Sequence, residues 1–438
     1  MTMRLRHALL LWFCILTSFG SALGSTTPAE AAAIAAARQD HTAYTLAPAA
    51  LAKAITLKRL GLTSHFGGEL WTILVLFLLL QSGVAARMRN VAVNLTKNRW
   101  GQCAIFVLEL LLFLTVLSLP LRLYRHSIGL AYGLSVQGWG SWLLDLGKSF
   151  LVEYVLVTPV VYFIFWRIRR SPRWWWLQAA GIVMVLSVAG TFAMPYLFDP
   201  LFNHFAPLAQ TDPALVEQLE RVVARGHGIS IPPDRMFVMK ASEKVTTLNA
   251  YVTGFGASKR VVVWDTTLAR ATPDEILGIF GHEMGHYVLG HVVAGIWIGC
   301  PLILLSFFLG YLVFNWLLKR NGKRWRIGAP DHWAALVVLA LVFEIFGFFG
   351  EPLVNPIARY QEHAADVYGQ EVIHGIVADP QKTMQRTFQD IGAASFDDPN
   401  PGPLDFWVDT HPETSFRAAF ARHYDPWAPG YAPKYFKK

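Results

Sequence analysis

The stretch Thr272-Pro273-Asp274-Glu275-Ile276-Leu277-Gly278-Ile279-Phe280-Gly281-His282-Glu283-Met284-Gly285-His286 reads as a helix with its own start signal. Thr272 can cap, Pro273 suits the first turn, and Glu275 completes a capping box. Apolar Ile276, Leu277, Ile279 and Phe280 lead into the His-Glu-x-x-His pattern. Residues four apart share a helical face, so His282 and His286 can hold one metal ion. Glu283 stands beside the open coordination position, where a carboxylate can take a proton from water. Gly281 and Gly285 leave room for a second backbone to pass closely. The pattern points to a zinc hydrolase, and the helix can run on into the apolar stretch that follows.

Two histidines need a third ligand. His291 is nearest, but it follows His286 by five residues. The metzincin pattern requires six, with Gly where this chain has Leu289. On a continued helix His291 also rotates off the ligand face, which makes it an exposed or supporting histidine. The better candidate is Glu362, within Asn355-Pro356-Ile357-Ala358-Arg359-Tyr360-Gln361-Glu362-His363-Ala364-Ala365-Asp366. Glu362 and Asp366 are four apart on one face. One carboxylate completes a His2Glu site for one Zn2+ per chain, and the other can orient a ligand imidazole.

The composition around these motifs is that of a membrane protein. The 438 residues are 54% hydrophobic and only 16% charged, with 16 Trp and 29 Phe; the mean hydropathy is +0.36. Soluble domains carry about a quarter charged residues. The net charge of +8 is gathered beside apolar runs, which reads as membrane orientation and excludes a nucleic-acid surface. Cys14, Cys103 and Cys300 lie in or beside apolar runs without metal spacing, as small buried residues do.

The order of segments follows. Residues 1–24 carry Arg4 and Arg6, an apolar run from Ala8 to Phe19, and small Ala22 and Gly24; they form a signal peptide or a first membrane helix. Residues 25–67 are a linker and pre-membrane segment, loose over 25–40. Residues 68–195 hold four spans, at about 68–86, 103–120, 149–166 and 174–195. Residues 292–350 hold two more, at 292–316 and 332–350, each near the roughly 20 apolar residues a bilayer requires. Glu153 and Glu344, inside spans, are expected to face other helices or water.

Between the fourth and fifth spans, residues 196–291 form a small α+β unit. It contains a helix from Pro213, short strands Met236–Met239 and Val261–Trp264, and β-formers near Asn249–Thr253. Residues 351–438 form a second polar segment carrying the third ligand. Neither is large enough for a core alone, so the two are expected to meet. Basic residues fill the loops at Arg87–Arg99, Arg167–Arg173 and Lys319–Arg326. The positive-inside rule puts those loops in the cytoplasm and both polar segments on the other side of an inner or plasma membrane.

Together these features resemble the integral-membrane zinc metalloendopeptidases typified by CAAX prenyl protease 1. The carriers are Pro200-Leu201-Phe202-Asn203, Asn249-Ala250-Tyr251, Lys259-Arg260-Val261-Val262, the HExxH helix, the Asn355–Asp366 run, and His411-Pro412 with Arg417. The resemblance covers about residues 45–425. It implies a mainly α fold, a ring of seven membrane helices around a water-filled chamber, with the first segment retained as the seventh helix. It implies peptide or membrane-associated protein substrates. It assigns His411 to stabilise the reacting carbonyl, Arg417 to support it, and Asn249 and Ala250 to an edge strand that pairs with substrate. Ala358 and Val245-Thr246-Thr247-Leu248 depart from the family's Ser-rich pattern, and the charge pattern reverses the cytosolic placement expected of eukaryotic relatives.

Overall fold

The structure is a computed structural model. It describes residues 25–226, 231–254 and 259–436. The expected signal or seventh helix in residues 1–24 lies outside these. In chain order the principal helices are α1 (Pro28–Ala37), α2 (Pro48–Gln81), α3 (Val84–Leu95), α4 (Arg99–Ala131), α5 (Trp139–Arg170), α6 (Trp175–Ala193), α7 (Pro213–Arg225), α8 (Pro273–Val288), α9 (His291–Asn321), α10 (Ala335–Val372), α11 (Pro380–Ser395) and α12 (Thr414–His423). Strands β1 (Phe205–Pro207), β2 (Met236–Met239), β3 (Ala250–Thr253) and β4 (Arg260–Trp264) form one sheet in the order β1-β2-β4-β3. The central pair β2 and β4 is parallel, and both outer pairings are antiparallel.

Among the described residues, six helices are long and apolar enough to cross a membrane: α2, α4, α5, α6 with its continuation to Phe202, α9 and α10. Large apolar side chains stay bare along them, with Val116 63%, Leu144 69% and Trp297 73% exposed. Continuous apolar surface of this kind belongs against lipid. The chain is a polytopic helical membrane bundle carrying a small sheet.

Three boundaries differ from the sequence reading. Residues 25–40 are not a loose linker. Thr27 caps α1 and Glu30 returns the bond, with Glu30 N to Thr27 Oγ1 at 3.2 Å and Thr27 N to Glu30 Oε2 at 2.7 Å. Thr27-Pro28-Ala29-Glu30 repeats the signature of Thr272-Pro273-Asp274-Glu275, and the alanine run behind it has high helix propensity. The first span begins as α2 at Pro48 and ends at Gln81, where Gly83 at φ +71° turns the chain into α3. The last span does not stop near 350: α10 continues to Val372. Its 38 residues reach about 57 Å, while a bilayer core takes about 20 residues. The second half therefore projects from the membrane, and it carries Glu362 and Asp366.

Two cores stand at opposite ends. One joins α2, α4, α5, α6, α9 and α10 through Leu76, Phe106, Phe165, Trp175, Phe314 and Trp333. The basic loops lie beside it, where Arg89 Nη1 donates to Arg326 O at 2.9 Å. The other core merges α1, the sheet, α7, α8, the end of α10, α11 and α12 through Ala33, Leu219, Met236, Phe280, Val372, Phe388 and Phe420. The two polar segments do meet, and α1 belongs with them. Glu153 and Glu344 line a smaller cavity of about 340 Å³ with Arg122 and Thr72, so both face inward as expected.

Candidate active site

α8 starts as its sequence dictates: Thr272 Oγ1 accepts from Glu275 N at 3.4 Å, and Thr272 N donates to Glu275 Oε2 at 2.7 Å. It does not run on into the membrane. It ends at Val288, Gly290 adopts φ +70°, and α9 begins afresh at His291. α8 crosses α10 closely. A Cβ on Gly369 would lie 2.8 Å from His282 N, and one on Gly281 would lie 2.8 Å from Val372 Cγ1. Only glycines let the backbones approach this far. That contact lays the carboxylates of α10 beside the histidines of α8.

The ligand atoms converge. His282 Nε2 and His286 Nε2 are 3.1 Å apart. Glu362 Oε2 is 3.3 Å from His282 Nε2, and Oε1 is 3.2 Å from His286 Nε2. Ligands on a tetrahedral zinc at 2.0–2.1 Å stand about 3.3 Å apart, so the spacing fits that ion. Glu362 Oε2 is buried without a hydrogen-bond donor, as an atom reserved for a cation would be. Two imidazoles and one carboxylate are also a donor set that zinc takes.

Behind the ligands, His282 Nδ1 donates to Asp366 Oδ1 at 2.7 Å. Arg417 grips the same carboxylate with two bonds, Nε to Oδ2 at 2.9 Å and Nη2 to Oδ1 at 2.6 Å, and covers the Phe388 ring. Burial alone would depress His282, but the carboxylates of Asp366 and Glu362 hold it up at about 9. Burial also opposes the charge on Arg417, and Asp366 outweighs it. Burial pushes Glu283 above the ordinary carboxylate range, against the pull of both histidines, which is the direction a base needs.

Glu283 and His282 line a cleft of about 720 Å³ together with Asn249, Phe388, His411 and Arg417. Lys58 and His65 also line it, so the membrane-crossing helix α2 forms one wall. His411 Nε2 reaches to 3.3 Å of Glu362 Oε2, and burial lowers its pKa. β3 is an edge strand, paired only to β4, with Ala250 opposite Val263. Asn249 O accepts from Thr267 Oγ1 at 2.8 Å and from Trp264 N at 3.1 Å, which fixes the start of that edge. All nine residues singled out from the sequence thus gather around one cleft or its adjoining edge. His291, read from the sequence as an exposed or supporting histidine, stands behind the site with its Nδ1 2.9 Å from His286 Nδ1. A continued α8 would have turned it away, and Gly290 brings it back. The glycine was the available signal.

A membrane helix bundle joined to a unit with a His-Glu-x-x-His helix and a third carboxylate defines an integral-membrane metallopeptidase. Residues 209–425 match the profile of peptidase family M48, and residues 40–204 match the CAAX prenyl protease N-terminal domain of five membrane helices. An uncharacterised metalloprotease of Bacillus subtilis, YhfN, is 35% identical over 75% of this chain and 75% of its own length. A CAAX prenyl protease 1 homolog of Caenorhabditis elegans is 25% identical over 74% of this chain and 78% of its own. The crystal structure of S. mikatae Ste24p superposes with a TM-score of 0.74 at 19% identity, over 94% of this chain and 99% of that one. The chain belongs to peptidase family M48, in the branch whose membrane helices resemble those of CAAX prenyl proteases.

Proposed function

We propose that the chain is a zinc endopeptidase that cuts extended segments of peptides or membrane-associated proteins. The observation that carries the reading is the convergence of His282, His286 and Glu362, with His282 and Glu283 lining the adjoining cleft. Zinc, when bound, polarises the scissile carbonyl and lowers the pKa of water at the open position to about 7. Glu283 takes a proton from the attacking water and returns it to the leaving amine. His411 offers an N–H to the carbonyl oxygen as charge develops there. Asp366, held by Arg417, keeps His282 in the tautomer that presents Nε2. Substrate lies along Asn249 and Ala250 as an added strand.

The name CAAX prenyl protease 1 belongs to the relatives. It supports cleavage near the C-terminus of a membrane-associated polypeptide as the substrate class here. The catalytic unit faces away from the cytoplasm. α1 packs into that unit, while the basic loops gather at the other end of the bundle. A signal peptide and a retained first helix both deliver α1 to the same side.

The test is full-length protein assayed for zinc and for cleavage of prenylated and unprenylated peptides, beside Glu283→Gln. The variant should keep its zinc and lose about 10²–10⁴-fold in turnover. Unchanged turnover would sink the mechanism, and wild-type protein without stoichiometric zinc would sink the site.

A further inference from the structure

The two histidines of the site are held from behind by different chemistry. His282 gives its Nδ1 proton to a carboxylate, Asp366. His286 faces another imidazole, with His291 Nδ1 at 2.9 Å from its Nδ1. His286 Nε2 is already committed to the ligand cluster, 3.1 Å from His282 Nε2 and 3.2 Å from Glu362 Oε1. A neutral imidazole has one N–H and one lone pair. If Nε2 supplies the lone pair to a cation, Nδ1 must carry the proton, and that proton needs an acceptor. Among the described residues His286 Nδ1 has no other hydrogen-bond partner.

We propose that His291 is a positioning residue: its Nδ1 accepts the His286 Nδ1 proton and so turns His286 Nε2 to the metal. His291 then keeps its own proton on Nε2. The inference rests on the reading of His286 as a zinc ligand. Its physical basis is the chain reversal at Gly290, φ +70°, which returns a residue five positions on to the back of its predecessor. His291 is also the first residue of α9, one of the membrane-crossing helices. His286 is therefore tied to the start of α9, while His282 is tied to α10 and α12 through Asp366 and Arg417.

Edge-on packing is the competing role, since the two rings lie 5.0 Å apart with planes at 76°. Three variants separate the roles. His291→Phe keeps a ring and removes the acceptor. His291→Asn removes the ring and places an amide oxygen near the position of Nδ1. His291→Ala removes both. The purified full-length proteins are stripped with a chelator and titrated with Zn2+ against a competing chromophoric chelator, with Asp366→Asn as reference. The Ala and Phe variants should bind zinc about 10–100-fold more weakly, as loss of such a partner does elsewhere, and the Asn variant should bind close to wild type. Co2+ loaded at the site should show a shifted ligand-field spectrum in the Ala and Phe variants alone. Wild-type affinity in the Ala and Phe variants overturns the proposal, as does an Asn variant as weak as Ala. The readout needs no peptidase activity, so a wild-type protein that binds zinc and cuts nothing refutes the proposed function separately. A wild-type protein that binds no zinc overturns both.

Discussion

Two regions of α10 lie on one continuous helix and are constrained by different surroundings. Between Gly347 and Val354 the helix is loosely enclosed. Phe349 is 58% exposed, and a Cβ on Gly347 or Gly350 would meet nothing within 4 Å. From Ala364 to Ile373 every residue is buried, and a Cβ on Gly369 would strike the backbone of His282. The first region is tuned by lipid, where apolar character matters and exact shape matters little. The second is tuned by contact with α8, where tenths of an ångström decide whether carboxylate and imidazoles converge.

The contrast breaks most sharply through one glutamate from each half of α10, Glu344 and Glu362. Glu362→Gln should abolish stoichiometric zinc and with it activity, measured by metal analysis and peptide cleavage. Glu344→Gln, in the membrane half, should leave both near wild type. Equal effects would mean that the cavity beside Glu344 serves the chemistry directly.

The glycines give the next largest contrast. Gly369→Ala forces α8 and α10 apart and should cost about 1–3 kcal/mol, with weakened zinc binding. Gly347→Ala adds a methyl group in open space and should be neutral or stabilising by up to about 1 kcal/mol. Thermal unfolding in detergent reads both, and a tolerated Gly369→Ala would show that the crossing is not tight.

The smallest effect sharpens the boundary of the catalytic unit at its N-terminal side. Asp40 accepts from Thr42 N at 2.8 Å, His423 Nε2 at 2.9 Å and Arg422 Nη1 at 3.0 Å, fastening the end of α1 to α12. Burial would raise its pKa, but Thr42, His423 and Arg422 together hold it well below the ordinary value. A depressed folded pKa contributes stability above the unfolded value near 4, lost as pH falls below it. Asp40→Asn should therefore lower stability by about 1 kcal/mol at pH 7, with the gap to wild type closing below about pH 4. A gap that persists in acid would point to lost packing rather than lost charge.

Much of this was legible in the residues. Hydropathy found all six membrane-crossing helices, because lipid demands long apolar runs whatever the neighbours are. Spacing found His282, His286, Glu362 and Asp366, because helical periodicity is local. The failures have separate causes. The α1 helix was misread because its alanines carry little hydrophobic pattern, although its cap was written plainly as Thr27-Pro28-Ala29-Glu30. His291 was read as exposed or supporting, and its place behind His286 was not legible because Gly290 redirects the chain.

The sequence by itself determined the spans, the capped helix and the two ligand pairs, each set by short-range periodicity or by transfer into lipid. Only the tertiary structure decided that Glu362 meets the histidines 76 positions away, that Arg417 clamps Asp366, and that His291 faces His286. Those contacts depend on how closely two helices approach and how one turn is bent. Nothing in a residue's own neighbourhood along the chain encodes either distance.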